Sequence, residues 1–167
     1  MQLEYQINKP AKIRGYALHQ MVMGLTRGKP ALFADEGQTL ILRTEASIDA
    51  PASPIEAPDE GDITAFELRA CVSKKRKGKH IYFDSRDWSA RHRWLNVKAA
   101  RYGFDVLTVQ SSATRRKIND DKRCFWVDQT DFIGVLKVTN KTLFEEALTH
   151  GIGSTAKTFG FGLLVIH

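Results

Sequence analysis

Residues 80–167 spell out a strand, a helix, two strands, a helix and a strand, and that order restricts the possible folds more than any other feature of the chain. "HIYF" opens the series, and Ser89 can cap a helix that runs to about Tyr102 and stops at Gly103. "FDVLTVQ", "RCFWVD" and "DFIGVLKVT" read as strands. "TLFEEALTH" reads as a helix opened by a Thr142-x-x-Glu145 capping box, and "FGFGLLVIH" closes on a strand. The order β-α-β-β-α-β is the ferredoxin-like arrangement.

The first half follows the same plan with a piece missing. Leu3, Tyr5 and Ile7 alternate with Gln2, Glu4 and Gln6, as in a half-buried strand. In "IRGYALHQMVMGLTRG", Leu18, Met21, Val22 and Leu25 repeat at i, i+3, i+4 and i+7, with Gly28 as the helix stop. "ALFA" and "QTLILRT" form a hairpin turning at Gly37, "IDAPASPIEAPDEGD" reads as a loop, and "TAFELRACV" returns to strand. The expected fold is α+β, with tandem ferredoxin-like (RRM-like) domains, the first with a reduced second helix. The expected division is an N-terminal domain over 1–72, a basic linker over 73–79 and a C-terminal domain over 80–167.

Composition narrows the function. Apolar residues make up 43% and charged residues 26% of the chain, which suits a soluble globular protein. No apolar run has the length of a membrane span, and "MQLEYQINKPAK" does not read as a signal peptide. Cys71 and Cys124 lie far apart in strand-like sequence, which suggests reduced thiols in a cytoplasmic protein. Charge is unevenly placed: residues 1–70 hold 7 Lys+Arg against 10 Asp+Glu, and residues 71–167 hold 18 against 9. A net −3 beside a net +9 points to a polyanionic partner, most simply a nucleic acid.

Three features carry possible chemistry. On the first helix, Tyr16, His19, Gln20, Met23 and Arg27 cluster almost opposite the apolar stripe. An imidazole on that face, near a phosphate, can move a proton from an attacking hydroxyl or to a leaving oxygen. "KKRKGK" (Lys74, Lys75, Arg76, Lys77, Gly78, Lys79) puts five cations into six residues. "TRRKINDDKR", with Arg115, Arg116 and Lys117, forms the tip of a hairpin suited to enter or straddle a nucleic-acid groove. Arg91, Lys98 and Arg101 extend these runs into one cationic surface. His80, His92, His150 and His167 show no metal-ligand spacing, and no Ser-His-Asp arrangement or nucleophile elbow is present.

The third feature is "GIGSTAKTFGFGLLVIH", with Gly151, Gly153, Gly160, Gly162 and Lys157. A dinucleotide-binding turn runs from strand to helix, whereas this loop runs from helix to strand. A Walker A loop also fails, because no Gly-Lys-Ser/Thr follows at the required spacing. Gly151 serves as a helix stop, and the others let backbone approach backbone or RNA closely, so the loop is expected to shape a groove and support the His19 region.

The whole pattern resembles the CRISPR-associated endoribonucleases that cut repeat RNA, in their CasE-like branch. The matching stretches are "YALHQ", "FELRACVSKKRKGKHIYF", "WLNVKAARYGFDV", "DFIGVLKVTNKTLFEEALTHGIG" and "KTFGFGLLVIH". The resemblance implies metal-independent cleavage without a cofactor, in which a ribose 2′-OH attacks the phosphate and leaves a 2′,3′-cyclic phosphate and a 5′-hydroxyl. It implies His19 as the catalytic histidine and Tyr16 as the tyrosine one turn before it. It implies RNA contacts from Arg27, Lys74, Lys75, Arg76, Lys77, Arg115, Arg116, Lys117 and Lys157. The implied partners are a CRISPR repeat RNA hairpin and other subunits of a CRISPR effector complex. Three departures stand out: the chain is shorter than is usual for the branch, mainly in the first domain, where the proline-rich loop replaces a helix; the glycine loop is one residue longer than the family's usual pattern; and the sequence stops at the end of the last strand. A rival from another class is a non-cleaving subunit that holds the repeat hairpin as a scaffold.

Overall fold

The computed structural model describes residues 1–84, 86–119, 122, 124–153 and 156–167, without the side chains of Lys75 and His80. The first sheet contains β1 (Leu3–Asn8), β2 (Ala31–Asp35), β3 (Thr39–Thr44) and β4 (Ala52–Pro54) in the order β2-β3-β1-β4, all antiparallel. One helix, α1 (Tyr16–Thr26), covers it. Leu18 and Val22 of α1 pack on Tyr5, Phe33, Leu40 and Leu42, which closes a small apolar core. The Tyr5 hydroxyl donates to the Ala46 carbonyl at 2.8 Å, so this buried aromatic keeps its polar end satisfied.

The second sheet contains β5 (Ile63–Cys71), β8 (Phe104–Asn119), β9 (Cys124–Val138) and β10 (Leu164–Ile166) in the order β10-β5-β9-β8. Between β5 and helix α2 (Trp88–Arg101), β6 (Lys74–Arg76) and β7 (Lys79–Ile81) form a separate two-stranded hairpin. Helix α3 (Lys141–His150) and a 3-10 turn at Lys157–Phe159 lead into β10. Leu95 and Ala99 of α2, with Phe144 and Ala147 of α3, share a larger core with Phe66, Leu68, Phe132 and Leu136. Both sheets therefore have the strand order of a ferredoxin-like unit, and the expected tandem fold, with one helix missing from the first unit, is the observed one.

Several local expectations are corrected. "TAFELRACV" does not close the first sheet: it is β5, hydrogen-bonded to β9 and β10, so the second unit opens at Ile63 and the division at 72/80 does not hold. The fourth strand of the first sheet comes instead from the proline-rich stretch expected to be a loop. It is an edge strand, where Pro54 costs no ladder bond. The basic stretch 73–79 is a hairpin inside the second unit rather than a linker between units. The two strands expected from "RCFWVD" and "DFIGVLKVT" are one, running from Cys124 to Val138, with Asp120, Asp121 and Arg123 outside the described residues, and Arg115, Arg116 and Lys117 lie within β8 rather than at a tip. Asp87, not Ser89, caps α2, accepting from the Ala90 amide at 3.0 Å. Asn140 caps α3 through the Leu143 amide at 3.0 Å, two residues ahead of Thr142, the expected start of the capping box. Among the described residues, no helix is long and apolar enough to cross a membrane.

The two units are joined by polar contacts at strand and helix ends. Arg43 of β3 is buried, pairs with Glu4 at 2.7 Å and donates to the Leu148 carbonyl of α3 at 3.2 Å. Arg69 of β5 donates to the Asp35 carbonyl at 2.6 Å while pairing with Asp131 at 2.7 Å. Leu32 and Ala34 of β2 pack against Leu163 beside β10.

Candidate active site

Helix α1 starts at Tyr16 because Gly15 turns the chain with φ 60° and ψ −131°, a conformation that a Cβ disfavours. No side chain caps this end and no carboxylate stands in the first turn, so its amides keep their partial positive charge. Tyr16 and His19 project from that turn, half-buried, with ring centres 6.2 Å apart. Leu18, Val22 and Thr26 are buried on the other side of the helix, while Gln20, Met23 and Arg27 are exposed.

Facing this turn is a cleft of about 410 Å³, lined by Arg14, Tyr16, Asp35, Arg116, Lys117 and Phe159 among others. His19 touches two of these lining residues, Tyr16 and Phe159, the latter at 5.9 Å between ring centres. Phe159 in turn meets Phe125 of β9 edge-on at 5.6 Å. The aromatic ring of the glycine loop is therefore the piece that seats α1 against the long hairpin. Arg116 forms the opposite wall: it donates to Gln129 at 3.2 Å, and its second nitrogen stands 4.0 Å from Asp35.

A buried lysine organises this corner. The Lys9 ammonium is fully buried, pairs with Asp35 at 2.9 Å and donates to the carbonyls of Ile13 at 2.8 Å and Gly37 at 2.6 Å. One charge thus ties the segment entering α1 to the turn between β2 and β3, with each ammonium hydrogen used. Nothing in the sequence around Lys9 or Asp35 signals this pairing, because the partners come together only through strand register. Phe159 left a fainter trace, as an aromatic residue inside a glycine-rich loop.

The glycines act by close backbone approach. A Cβ on Gly151 would come within 2.7 Å of the Gly162 carbonyl, and one on Gly162 within 2.8 Å of the Ile152 carbonyl. The Ile152 amide bonds to Gly162 at 2.8 Å, and the Gly162 amide bonds to the Arg69 carbonyl at 2.8 Å. Gly160 leaves room for Phe33 of the first sheet, and Gly153 lies against Trp94. The loop is thereby locked between the two units, with Ser154 and Thr155 outside the described residues.

The remaining candidates separate. Lys157 is turned to the end of α3, donating to the His150 carbonyl at 2.6 Å. Its ammonium is held below its ordinary range, first by burial and then by nearby Lys98. Arg27 ends α1 in a left-handed conformation, roughly 16 Å along the helix from Tyr16. Lys74, Lys75 and Arg76 form β6, and Lys77 occupies its turn with φ 49°. Arg115 lies 5.8 Å from the ring of Tyr82, just after β7, so both basic runs flank the same end of the second sheet. Arg91 departs from the sequence reading. It is buried, with one nitrogen 2.6 Å from Asp128, its Nε donating to Thr130 at 3.1 Å, and further donations to the carbonyls of Phe83, Asp84 and Asp87. It fastens α2 to β9 and is no part of a cationic surface.

Known proteins share this architecture. Cse3 of Thermus thermophilus bound to an RNA representing a pre-cleavage complex matches with a TM-score of 0.83 at 20% identity, over 99% of this chain and 98% of that one. The CRISPR-associated protein Cas6e from Escherichia coli str. K-12 matches with a TM-score of 0.76 at 23% identity, over 99% and 98%. A chain of a CRISPR RNA-guided surveillance complex matches with a TM-score of 0.72 at 18% identity, over 98% of each. No curated protein sequence matches the chain. The family model described as "CRISPR associated protein" matches residues 22–167, which takes in the far end of α1, the second sheet and the glycine loop, and the chain therefore belongs to the family of CRISPR-associated proteins.

Proposed function

We propose that the protein is a metal-independent endoribonuclease that cleaves CRISPR repeat hairpins in precursor RNA and retains the mature guide. The observation that carries this reading is the cleft at the start of α1: Tyr16 on one wall, with the His19 ring 6.2 Å from it, and the β8 stretch from Arg116 to Asn119 on the other. A phosphodiester drawn between these walls meets cations on one side and a proton-transferring pair on the other. The ribose 2′-oxygen attacks phosphorus, the bond from phosphorus to the 5′-oxygen breaks, and the products are a 2′,3′-cyclic phosphate and a 5′-hydroxyl. His19 takes the proton of the attacking hydroxyl or supplies one to the leaving oxygen, and Tyr16 hydrogen-bonds the phosphate or the attacking group. The fold it shares with Cse3 and Cas6e, and with a surveillance-complex chain, supports the same RNA as substrate and the subunits of such a complex as partners, in the cytoplasm.

The test is cleavage of the cognate repeat hairpin in EDTA, with a second RNA carrying deoxyribose at the cut position. The expected result is cutting of the all-ribose RNA and binding without cutting of the deoxy RNA. A protein that binds both and cuts neither is a scaffold, and full cutting by His19→Ala would falsify the assignment of His19.

A further inference from the structure

The β8–β9 hairpin has two faces, and from one of them the Arg116 side chain reaches toward Asp35 of the cleft. Side chains alternate across a strand, and cross-strand partners share a face. Arg116 and Ile118 share theirs with Val127 and Phe125, on the side where Phe159 and Phe161 pack. Lys117 is paired with Trp126, and Arg115 with Asp128, on the other side. Helix α2 covers that second side as far as Asp128, which Arg91 holds at 2% exposure. Trp126, next on the same side, is 54% exposed.

An indole more than half exposed on a hairpin buries little apolar area for the fold, and its cationic neighbours suit a ligand. The Lys117 ammonium lies 6.0 Å from the Trp126 ring, Lys74 lies 5.9 Å from Phe83, and Arg115 lies 5.8 Å from Tyr82, whose ring also packs against the Ile118–Val127 cluster of the inner side. All three cation–ring pairs belong to this end of the second sheet and to the β6–β7 hairpin beside it. Rings interleaved with cations match a single-stranded nucleic acid, whose bases stack and whose phosphates need charge. We infer that this outer face is a second RNA subsite, in which an unpaired nucleotide flanking the stem stacks on Trp126 while Lys117 and Arg115 hold the adjoining phosphates. The inference rests on the proposed function and assigns the outer side of the hairpin to the flank, leaving the inner side to the scissile phosphate.

Affinity decides it, measured with deoxy-blocked repeat RNA made as a bare stem and as a stem with unpaired nucleotides on both sides. Trp126→Ala should weaken binding of the flanked RNA about tenfold and leave the bare stem unchanged, with Trp126→Phe retaining most of the affinity. Abasic residues in the flank should reproduce the loss in the unaltered protein and add nothing to Trp126→Ala. Equal losses on both RNAs, or no loss on either, overturn the subsite. If the unaltered protein cuts the all-ribose RNA while Trp126→Ala behaves like it on the flanked RNA, only this inference fails. If the unaltered protein binds neither RNA, both readings fail.

Discussion

The two units share one strand order but divide the work unequally. The first has four strands of six residues or fewer and a single helix. The second has two helices and a hairpin of strands 16 and 15 residues long. Residues 1–62 hold 6 Lys+Arg against 9 Asp+Glu, and residues 63–167 hold 19 against 10. The small acidic unit presents Tyr16, with His19 beside it, and the large basic unit presents Arg116 and Lys117 across the cleft from Tyr16. On the proposed function, the repeated fold places proton transfer on one copy and grip on the other, so that the reacting groups meet only when the two copies are docked.

That division can be broken from either side. Replacing His19 with alanine should cut the cleavage rate by about 10²–10⁴-fold with little change in affinity for uncleavable RNA, measured by single-turnover kinetics beside a binding titration. A parallel loss of affinity would show that the first unit also grips. Arg91→Ala should destabilise the second unit by about 3–5 kcal/mol, because it leaves the Asp128 carboxylate buried without its partner. Denaturant unfolding reads this loss, and a near-neutral result would mean that the loop around Phe83 opens to admit water.

Smaller effects sharpen the picture. Arg116→Gln should weaken RNA binding and lower the salt dependence of log K by about one unit of slope. Arg27→Gln, at the far end of α1, should leave that slope alone, and an equal change in both variants would extend the RNA path along the whole helix. Lys157→Met should cost about 1 kcal/mol of stability through the lost bond to the α3 terminus. Its salt slope should stay where it is. A shifted slope would mean that Lys157 leaves the helix end to meet phosphate.

Local patterning was enough to separate the two faces of α1, because Leu18 and Val22 lie within one helix and answer to one periodicity. It also separated strands from helices across the second unit. It could not say which sheet β5 joins, since an alternating strand pairs equally well with either neighbour until the rest of the fold is assembled. The fourth strand of the first sheet was hidden for a different reason: Ala52, Ser53 and Pro54 have little intrinsic preference for strand, and only β1 beside them makes them one. Arg91 shows the limit for charge. Its exposure depends on Asp128 and Thr130, which lie 37 and 39 residues away in the chain. The cleft was half visible, with His19 and Tyr16 marked by their helix face and Phe159, Lys9 and Asp35 brought in by tertiary contact.

Strand β8 lies at the margin of its sheet, so along sixteen residues one row of its amides and carbonyls has no neighbouring strand among the described residues. Such a margin is a template on which another polypeptide can grow, and long ones invite self-association. Arg115, Arg116 and Lys117 stand together on it and would face their own counterparts if two copies lined up edge to edge. Their mutual repulsion would oppose that pairing, and a polyanion would screen it. On the proposed function, the charges that meet RNA would also be the ones that oppose edge-to-edge pairing of two copies.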